Sequence, residues 1–228
     1  MAYRDGMIKA VLFDCDGVLA DSEGLIHAIE RAELAALGLE YESQAYMTRF
    51  MGMGGAEFYA QIEADALQRL GRSIRHAAKA SIDAKIAAAF DAELREVPGA
   101  FAATEALRLP KAVASSSGVA ALAYKLRKIG LWDSFAPHIY SGEQVARAKP
   151  APDLFLLAAN RLDIPPAKCL VIEDSVNGVR AGVAAGMHVW GFTGGAHSAA
   201  SIGDELAKAG AERIVAGWPE AQVLFEAL

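Results

Sequence analysis

Cysteine is scarce in this sequence, which contains only Cys15 and Cys169. Two cysteines provide neither a disulfide framework nor the ligand pattern of a zinc site. Cys15 lies between two aspartates, whose negative charges disfavour the thiolate form of its side chain. We therefore do not expect Cys15 to act as a nucleophile, and we expect its backbone N–H to matter more than its sulfur.

Long apolar runs are absent as well. No stretch approaches the roughly 20 apolar residues of a membrane-spanning helix. The N-terminal stretch MAYRDGMIKA lacks the long apolar region of a signal peptide. We therefore expect no membrane partner and residence in the cytoplasm.

Positive charge is in deficit. The sequence contains 22 Lys and Arg residues against 28 Asp and Glu residues, so its formal net charge is −6. Net negative charge disfavours nonspecific binding to nucleic acid or to anionic membranes. We expect no nucleic-acid partner, and we expect local cations to bind a small anionic substrate. The sequence leaves the oligomeric state open, with a monomer favoured.

The sequence does contain ample apolar residues, 54% of the total, and the motif VLFDCDGVLADSE from Val11 to Glu23. The apolar run 8–13 is typical of a strand in the interior of a parallel sheet. It ends in Asp14 and Asp16, at the edge where open α/β sheets bind ligands. Two neighbouring carboxylates repel each other, so a bound cation is the simplest reason to hold both there. The alternative is a surface turn, because Asp and Gly favour turns.

Strand-like and helix-like segments alternate from Gly99 onward, as a doubly wound parallel sheet requires. Together with the first run, the predicted strands are 8–13, 111–115, 138–141, 170–172, 188–193 and 213–215. The predicted helices include 119–129, 153–162 and 176–185. We therefore predict an α/β fold with a Rossmann-like core, formed by residues 1–20 and 98–228.

The segment 21–97 has no strand signal. It contains helix-period runs near 26–37, 56–70 and 74–94, with Ser22 as a candidate cap of the first. We predict an inserted all-helical cap domain, connected by hinges near Ala20 and Val97. The alternative, a single crossover of the sheet, rarely needs so many residues.

Three further motifs follow strand-like runs or precede a helix: VASSS at 113–117, AKPAPDLF at 148–155 and VIEDSVNG at 171–178. The paired acids Glu173 and Asp174, like those of the first motif, are oxygen ligands that suit Mg²⁺. The serines lie between a strand and a helix, where hydroxyl and N–H groups can hold phosphoryl oxygens. Lys149 would add a fixed positive charge. Each feature alone is also compatible with a turn, a solvated lysine or helix-capping acids.

In their chain order, the four motifs resemble the haloacid dehalogenase superfamily of aspartate-nucleophile phosphotransferases, in the branch with a helical cap inserted after the first motif. The resemblance implies that Asp14 attacks phosphorus to give an aspartyl-phosphate. It also implies that Asp16 protonates the leaving oxygen and then activates water. Ser115, Ser116 and Lys149 would bind the transferring phosphoryl group.

The same resemblance implies a Mg²⁺ cofactor. Its ligands would be Asp14, the backbone carbonyl of Asp16 and Asp174. Glu173 would be either a further ligand or a residue that supports the ligands.

Substrate choice is expected to come from the cap, where the loop FMGMGG at 50–55 corresponds to the substrate-facing loop of the family. Arg49, Gly52 and Met53 are the candidate specificity residues, although this loop is also compatible with a plain interhelical turn. Other cationic candidates on the cap are Arg75, Lys79 and Lys85.

The sequence is similar to bacterial 6-phosphogluconate phosphatases through FDCDGVLADSE and the segment FDAEL at 90–94, and also to β-phosphoglucomutase. The mutases carry a lysine and an arginine where this chain has Met51 and Gly55. We therefore predict a Mg²⁺-dependent phosphatase of a sugar or sugar-acid phosphate, with a sugar phosphomutase as the alternative. A phospho-accepting signalling module is an alternative of another class, which Asp16 and the helical insertion disfavour.

Overall fold

The computed structural model describes residues 8–50, 53–195 and 202–228. The chain divides into a core unit, Met1–Asp21 with Arg95–Leu228, and a helical unit, Ser22–Leu94. The boundaries were expected after residues 20 and 97. In the structure the core unit also includes Asp21 and the segment 95–97, because backbone hydrogen bonds join the segment 95–97 to the end of the first stretch of this unit. Asp21 N donates to Arg95 O at 3.0 Å and Val97 N donates to Leu19 O at 2.8 Å.

The core unit contains a sheet of six parallel strands in the order β3-β2-β1-β4-β5-β6. The strands are β1 Ala10–Phe13, β2 Lys111–Ser115, β3 Ile139–Ser141, β4 Cys169–Glu173, β5 His188–Phe192 and β6 Arg213–Val215. Every residue of β1 and β4 is buried, which explains why these strands are almost continuously apolar. The predicted α/β class and doubly wound parallel sheet are confirmed.

Six helices in the described part of the chain lie in segments that were predicted to be helical. Five were given no range from the sequence: 43–50, 100–106, 132–135, 202–209 and 218–225. In the helical unit the helices are α1 Glu23–Ala36, α2 Ser43–Phe50, α3 Gly55–Leu70 and α4 Arg75–Glu93. In the core unit they are α5 Ala100–Ala106, α6 Val119–Lys128, α7 Trp132–Phe135, α8 Asp153–Leu162, α9 Val176–Ala184, α10 Ile202–Ala209 and α11 Trp218–Phe225. No helix of the described residues combines the length and the apolar character that crossing a bilayer requires.

Aromatic side chains hold β1 and the loop that follows it. The ring of Phe13 lies 5.5 Å from that of Phe135 and 5.9 Å from that of Trp218, measured between centroids. Trp218 Nε1 also donates to Val18 O at 3.0 Å. In the same loop Gly17 has a φ of 74°, a left-handed conformation that glycine adopts without strain. The turn after the two acids is therefore held by its own backbone conformation at Gly17 and by the hydrogen bond from the buried Trp218.

Helix α2, one of the unpredicted helices, belongs to an aromatic cluster in the helical unit. Tyr46 and Phe50, one turn apart on α2, have centroids 4.9 Å apart, and Phe50 lies 5.4 Å from Phe58 of α3. These few apolar residues give too weak a period in the sequence to predict a helix. Packing in the cluster stabilises α2 instead.

Ser22, the candidate cap of the first helix, occupies the position before α1 but makes no capping hydrogen bond to it through its side chain.

Glu30 of α1 is a carboxylic acid placed against the aromatic cluster. Tyr46 Oη donates to Glu30 Oε2 at 2.6 Å. Burial raises the pKa of Glu30 to about 7, although the Tyr46 hydrogen bond and the charge of His27 lower it, and Glu23 raises it further. The folded helical unit therefore favours the protonated acid in a pH range where the unfolded chain is ionised.

Glu30→Gln should stabilise the helical unit at pH 8 and change little at pH 5. The raised pKa means that wild-type stability is greatest near or below pH 4.5 and is lost as the pH rises through about 7. The loss has an upper limit of about 3.5 kcal/mol, at about 1.4 kcal/mol for each pKa unit. Hydrogen exchange of the α1 amides at both pH values measures it. The exposed Glu57→Gln is the control, and equal effects of Glu30→Gln at the two pH values would contradict the prediction.

Candidate active site

The sheet topology brings three of the predicted motifs to one edge. Strand β1 pairs with β2 on one side and with β4 on the other, with Phe13 opposite both Val113 and Ile172. Asp14 N donates to Ile172 O at 3.0 Å, so the first acid is tied directly to β4. The carboxyl ends of these parallel strands, with Asp14, Ser115 and Glu173, therefore lie side by side at the point where the strand order reverses.

Lys149 joins the three strands through its ammonium group. Nζ donates to Asp14 Oδ1 at 2.6 Å, to Glu173 Oε1 at 2.7 Å and to Ala114 O at 2.9 Å. These bonds use all three donors of a lysine. Burial alone would lower the pKa of Lys149, but Asp14 and Glu173 outweigh it and the pKa is raised. The lysine is thus a fixed positive charge within the carboxylate cluster.

Asp14 lies in an environment that is unfavourable for its negative charge. Burial raises its pKa well above the usual range, Lys149 opposes this, and the charges of Glu173, Asp174 and Asp16 raise the pKa again. A further cation would offset this repulsion. The structure thus contains an electrostatic reason for a metal ion beside Asp14.

The donors at this edge fit Mg²⁺. The described residues contain no preformed group of three or more His, Cys, Asp or Glu side chains arranged as a metal site. Magnesium does not require one, because it is usually held by one or two carboxylates and completes its shell with water and substrate phosphate oxygens. Asp14 and the buried Asp174 are the carboxylates that would serve.

Glu173 is fully engaged in supporting Lys149. Its Oε1 accepts from Lys149, and its Oε2 accepts from Ser175 N and Ser175 Oγ, both at 2.9 Å. Ser175 Oγ in turn accepts from Gly178 N at 3.0 Å and caps α9. Of the two roles considered for Glu173, this geometry favours support over direct metal binding.

Asp16 is paired with a lysine that sequence analysis missed. Lys125 of α6 donates to both carboxylate oxygens of Asp16, and its hydrogen bond to Oδ2 is 2.5 Å long. Ser117 Oγ also donates to Asp16 Oδ2, at 2.7 Å. The buried residues of α6 are Leu122, Lys125 and Leu126. A lysine within an otherwise apolar helical stripe was the available signal in the sequence.

The serine loop after β2 is also ordered by hydrogen bonds. Ser115 is buried and its Oγ accepts from Ser117 N at 3.1 Å, whereas Ser116 is half-buried. The first amide of α6, Val119 N, donates to Glu143 Oε2 at 2.9 Å. A carboxylate therefore occupies part of the helix end that was predicted to attract phosphate. Ser115 and Ser116 remain as the candidate phosphate ligands.

The candidate specificity residues of the helical unit are engaged within that unit. Arg49 binds Asp65 through two hydrogen bonds, of 2.6 and 2.9 Å, and Met53 packs against the apolar core of the unit. Gly52, like Met51, lies outside the described residues. The geometry of Arg49 and Met53 favours the alternative of a structural interhelical connection. Lys79 and Lys85 form ion pairs with Asp83 and Glu33.

Residues 8–186 match the family model of haloacid dehalogenase-like hydrolases. The chain belongs to this family. Membership was predicted from the same motifs that the structure brings together, and the prediction is confirmed.

Similar proteins in this hydrolase family cover most of the chain. The 6-phosphogluconate phosphatase of Escherichia coli is 29% identical, over 84% of this chain and 85% of its own. The phosphorylated carbohydrates phosphatase of Thermotoga maritima is 33% identical, over 97% and 100%. A family hydrolase from Deinococcus radiodurans, solved with bound phosphate and sodium, is 35% identical with a TM-score of 0.78, over 98% and 97%. The similarity therefore includes both the core and the inserted helices.

Gly178→Ala should disrupt the support of Lys149 in this hydrolase. A Cβ at Gly178 would lie 1.8 Å from Glu173 Cδ, and Glu173 is held by Lys149 and Ser175. We expect a stability loss of about 1–3 kcal/mol, typical of overpacking, and loss of phosphatase activity. Thermal unfolding and turnover of p-nitrophenyl phosphate are the measurements.

The matched control is Gly203→Ala in α10, where the new Cβ would meet its nearest neighbour at 3.5 Å, an ordinary contact. It should leave activity unchanged. Full activity of Gly178→Ala would show that the position of Glu173 is not needed for the reaction.

Proposed function

We propose that the protein is a Mg²⁺-dependent phosphatase that hydrolyses a small phosphorylated carbohydrate through an aspartyl-phosphate. The observation that carries this proposal is the position of the Lys149 ammonium, which contacts Asp14, Glu173 and the end of β2. A nucleophile, a fixed positive charge and the serine loop are thereby close together. Phosphoryl transfer depends mainly on such positioning and charge neutralisation.

The substrate class rests on the relatives. Both curated relatives described above are phosphatases, one named for 6-phosphogluconate and the other for phosphorylated carbohydrates. The third is a structure that contains phosphate. We extend a hydrolase activity on phosphoric monoesters to this chain, with a sugar or sugar-acid phosphate as substrate and 6-phosphogluconate as the first candidate.

In the first half of the reaction, an Asp14 oxygen attacks phosphorus. The Asp14 oxygen–phosphorus bond forms while the bond from phosphorus to the substrate oxygen breaks, and Asp16 gives its proton to that leaving oxygen. Lys149, with Ser115 and Ser116, holds the oxygens of the transferring group. Lys149 also favours the ionised form of Asp14 against its burial.

In the second half, Asp16 takes a proton from water as the water oxygen attacks phosphorus. The bond between phosphorus and Asp14 breaks, which releases inorganic phosphate and restores the carboxylate. Asp14, the backbone carbonyl of Asp16 and Asp174 would hold Mg²⁺, which when bound neutralises phosphate charge.

No contact in the described residues favours the alternatives. The phosphomutase alternative requires cations on the cap. Gly55, the first residue of α3, has no side chain, and Arg49 is bound to Asp65. A signalling module would keep the phosphoryl group on Asp14. Asp16, two residues after Asp14, can transfer protons, which favours hydrolysis of the aspartyl-phosphate and hence turnover.

Asp14→Asn should abolish hydrolysis of p-nitrophenyl phosphate, because an amide oxygen is a poor nucleophile and a weaker metal ligand. EDTA should also abolish the activity of the wild-type protein, and added Mg²⁺ should restore it. Phosphate release measures turnover, thermal unfolding shows that the variant folds, and the exposed Asp133→Asn is the control. Retained activity in folded, metal-free Asp14→Asn would refute the mechanism, and a single stoichiometric burst by wild type would favour the signalling alternative.

A panel of sugar, sugar-acid and polyol phosphates should reveal the preferred ester, with the highest kcat/KM for a sugar or sugar-acid phosphate. In the same assay, β-glucose 1-phosphate with a trace of the 1,6-bisphosphate should give inorganic phosphate faster than glucose 6-phosphate. If the panel shows no preference for 6-phosphogluconate, that candidate substrate is refuted, and the proposed phosphatase mechanism still stands. Faster formation of glucose 6-phosphate would support the mutase alternative.

A further inference from the structure

Lys125 is a buried cation whose contacts all lead to the second aspartate. Its side chain is 3% exposed, and Nζ donates to both carboxylate oxygens of Asp16 and to Ser117 Oγ, the last at 2.6 Å. Three acceptors use the three donors of a lysine. Ser117 also donates to Asp16, so the three side chains form a closed triangle of hydrogen bonds.

Stability alone is a poor explanation for this lysine. A buried ion pair is often no more stabilising than apolar residues of similar volume, because both charges lose their hydration. Leu122 and Leu126 flank Lys125 on the buried face of α6, so an apolar side chain would continue their stripe. By contrast, Arg127 and Lys128 on the same helix are exposed. The buried charge is therefore better explained by what it does to Asp16.

The two aspartates of the first motif are paired with different lysines. Asp14 is paired with Lys149, which precedes α8, whereas Asp16 is paired with Lys125 from α6. Ser117 belongs to the same loop as the candidate phosphate ligands Ser115 and Ser116. The Asp16 carboxylate is thus held on the side of the serine loop, and a different cation holds the nucleophile.

We propose that Lys125, together with Ser117, is a positioning residue for Asp16 that sets where its carboxylate meets the leaving-group oxygen. The inference rests on the proposed phosphatase function. It adds a residue to that site and assigns the loop serine a role distinct from phosphate binding. Without the lysine, the Asp16 carboxyl would no longer be held beside the serine loop, and it would transfer its proton to the leaving oxygen less efficiently.

Lys125→Met tests the role, because methionine keeps an unbranched side chain and removes the charge. An alkyl phosphate needs a proton on its leaving oxygen, whereas p-nitrophenolate leaves without one. For the alkyl ester we expect kcat/KM to fall by about 10²-fold, the cost of a misplaced catalytic group. For p-nitrophenyl phosphate we expect little change, and Lys125→Arg should recover part of the loss.

A second variant pair shows whether Lys125 acts through Asp16. In an Asp16→Asn background, Lys125→Met should cause no further loss of kcat/KM, since residues that act as a unit are not additive. The exposed Lys128→Met is the matched control on the same helix and should behave as wild type. Thermal unfolding shows that each variant folds. If Lys125→Met does not fold, Ser117→Ala should shift the ratio of the two substrates in the same direction.

Equal losses for both esters, or a full additional loss in the Asp16→Asn background, would overturn the positioning role while leaving the phosphatase intact. A wild-type protein that hydrolyses neither ester with Mg²⁺ would overturn the proposed function, and the positioning role with it.

Discussion

One buried ammonium group, that of Lys149, holds the candidate site together. Asp14, Glu173, Asp174 and Asp16 would repel one another without a cation, and this repulsion adds to burial in raising the pKa of Asp14. Lys149 offsets part of that repulsion, and its hydrogen bonds to Asp14, Ala114 and Glu173 link the carboxyl ends of β1, β2 and β4. Its own position depends on Glu173, which is held by the N-terminal cap of α9 and fits only because Gly178 has no side chain.

The fold supplies this lysine with its partners. Strand β1 lies where the strand order reverses, so its end is next to both β2 and β4. Aromatic packing on Phe13 and the bond from Trp218 to Val18 hold β1 and its loop against the core. Rigid backbone at this position allows two acids, two residues apart, to face different cations. This arrangement suits a reaction in which one acid attacks and the other transfers a proton.

The sequence predicted the elements whose signal is local. Strand β2 and helix α8 begin and end where the pattern placed them, because each depends on its own apolar period and on neighbouring turn residues. Helix α2 was missed because contacts with Phe58 and its neighbours stabilise it more than its own pattern does. The acids of the first motif were found because their position after a buried strand is visible in the sequence alone.

The sequence by itself thus determined the fold class, the family and which residue types are available at the ends of the strands. Only the tertiary structure decided how these charges pair. Lys149 and Asp14 are 135 residues apart, and Lys125 and Asp16 are 109 apart. Glu143 likewise reaches the first amide of α6 from the segment after β3. Such pairs leave no local pattern, because charge pairing depends on which side chains the sheet and helices bring within a few ångströms of each other.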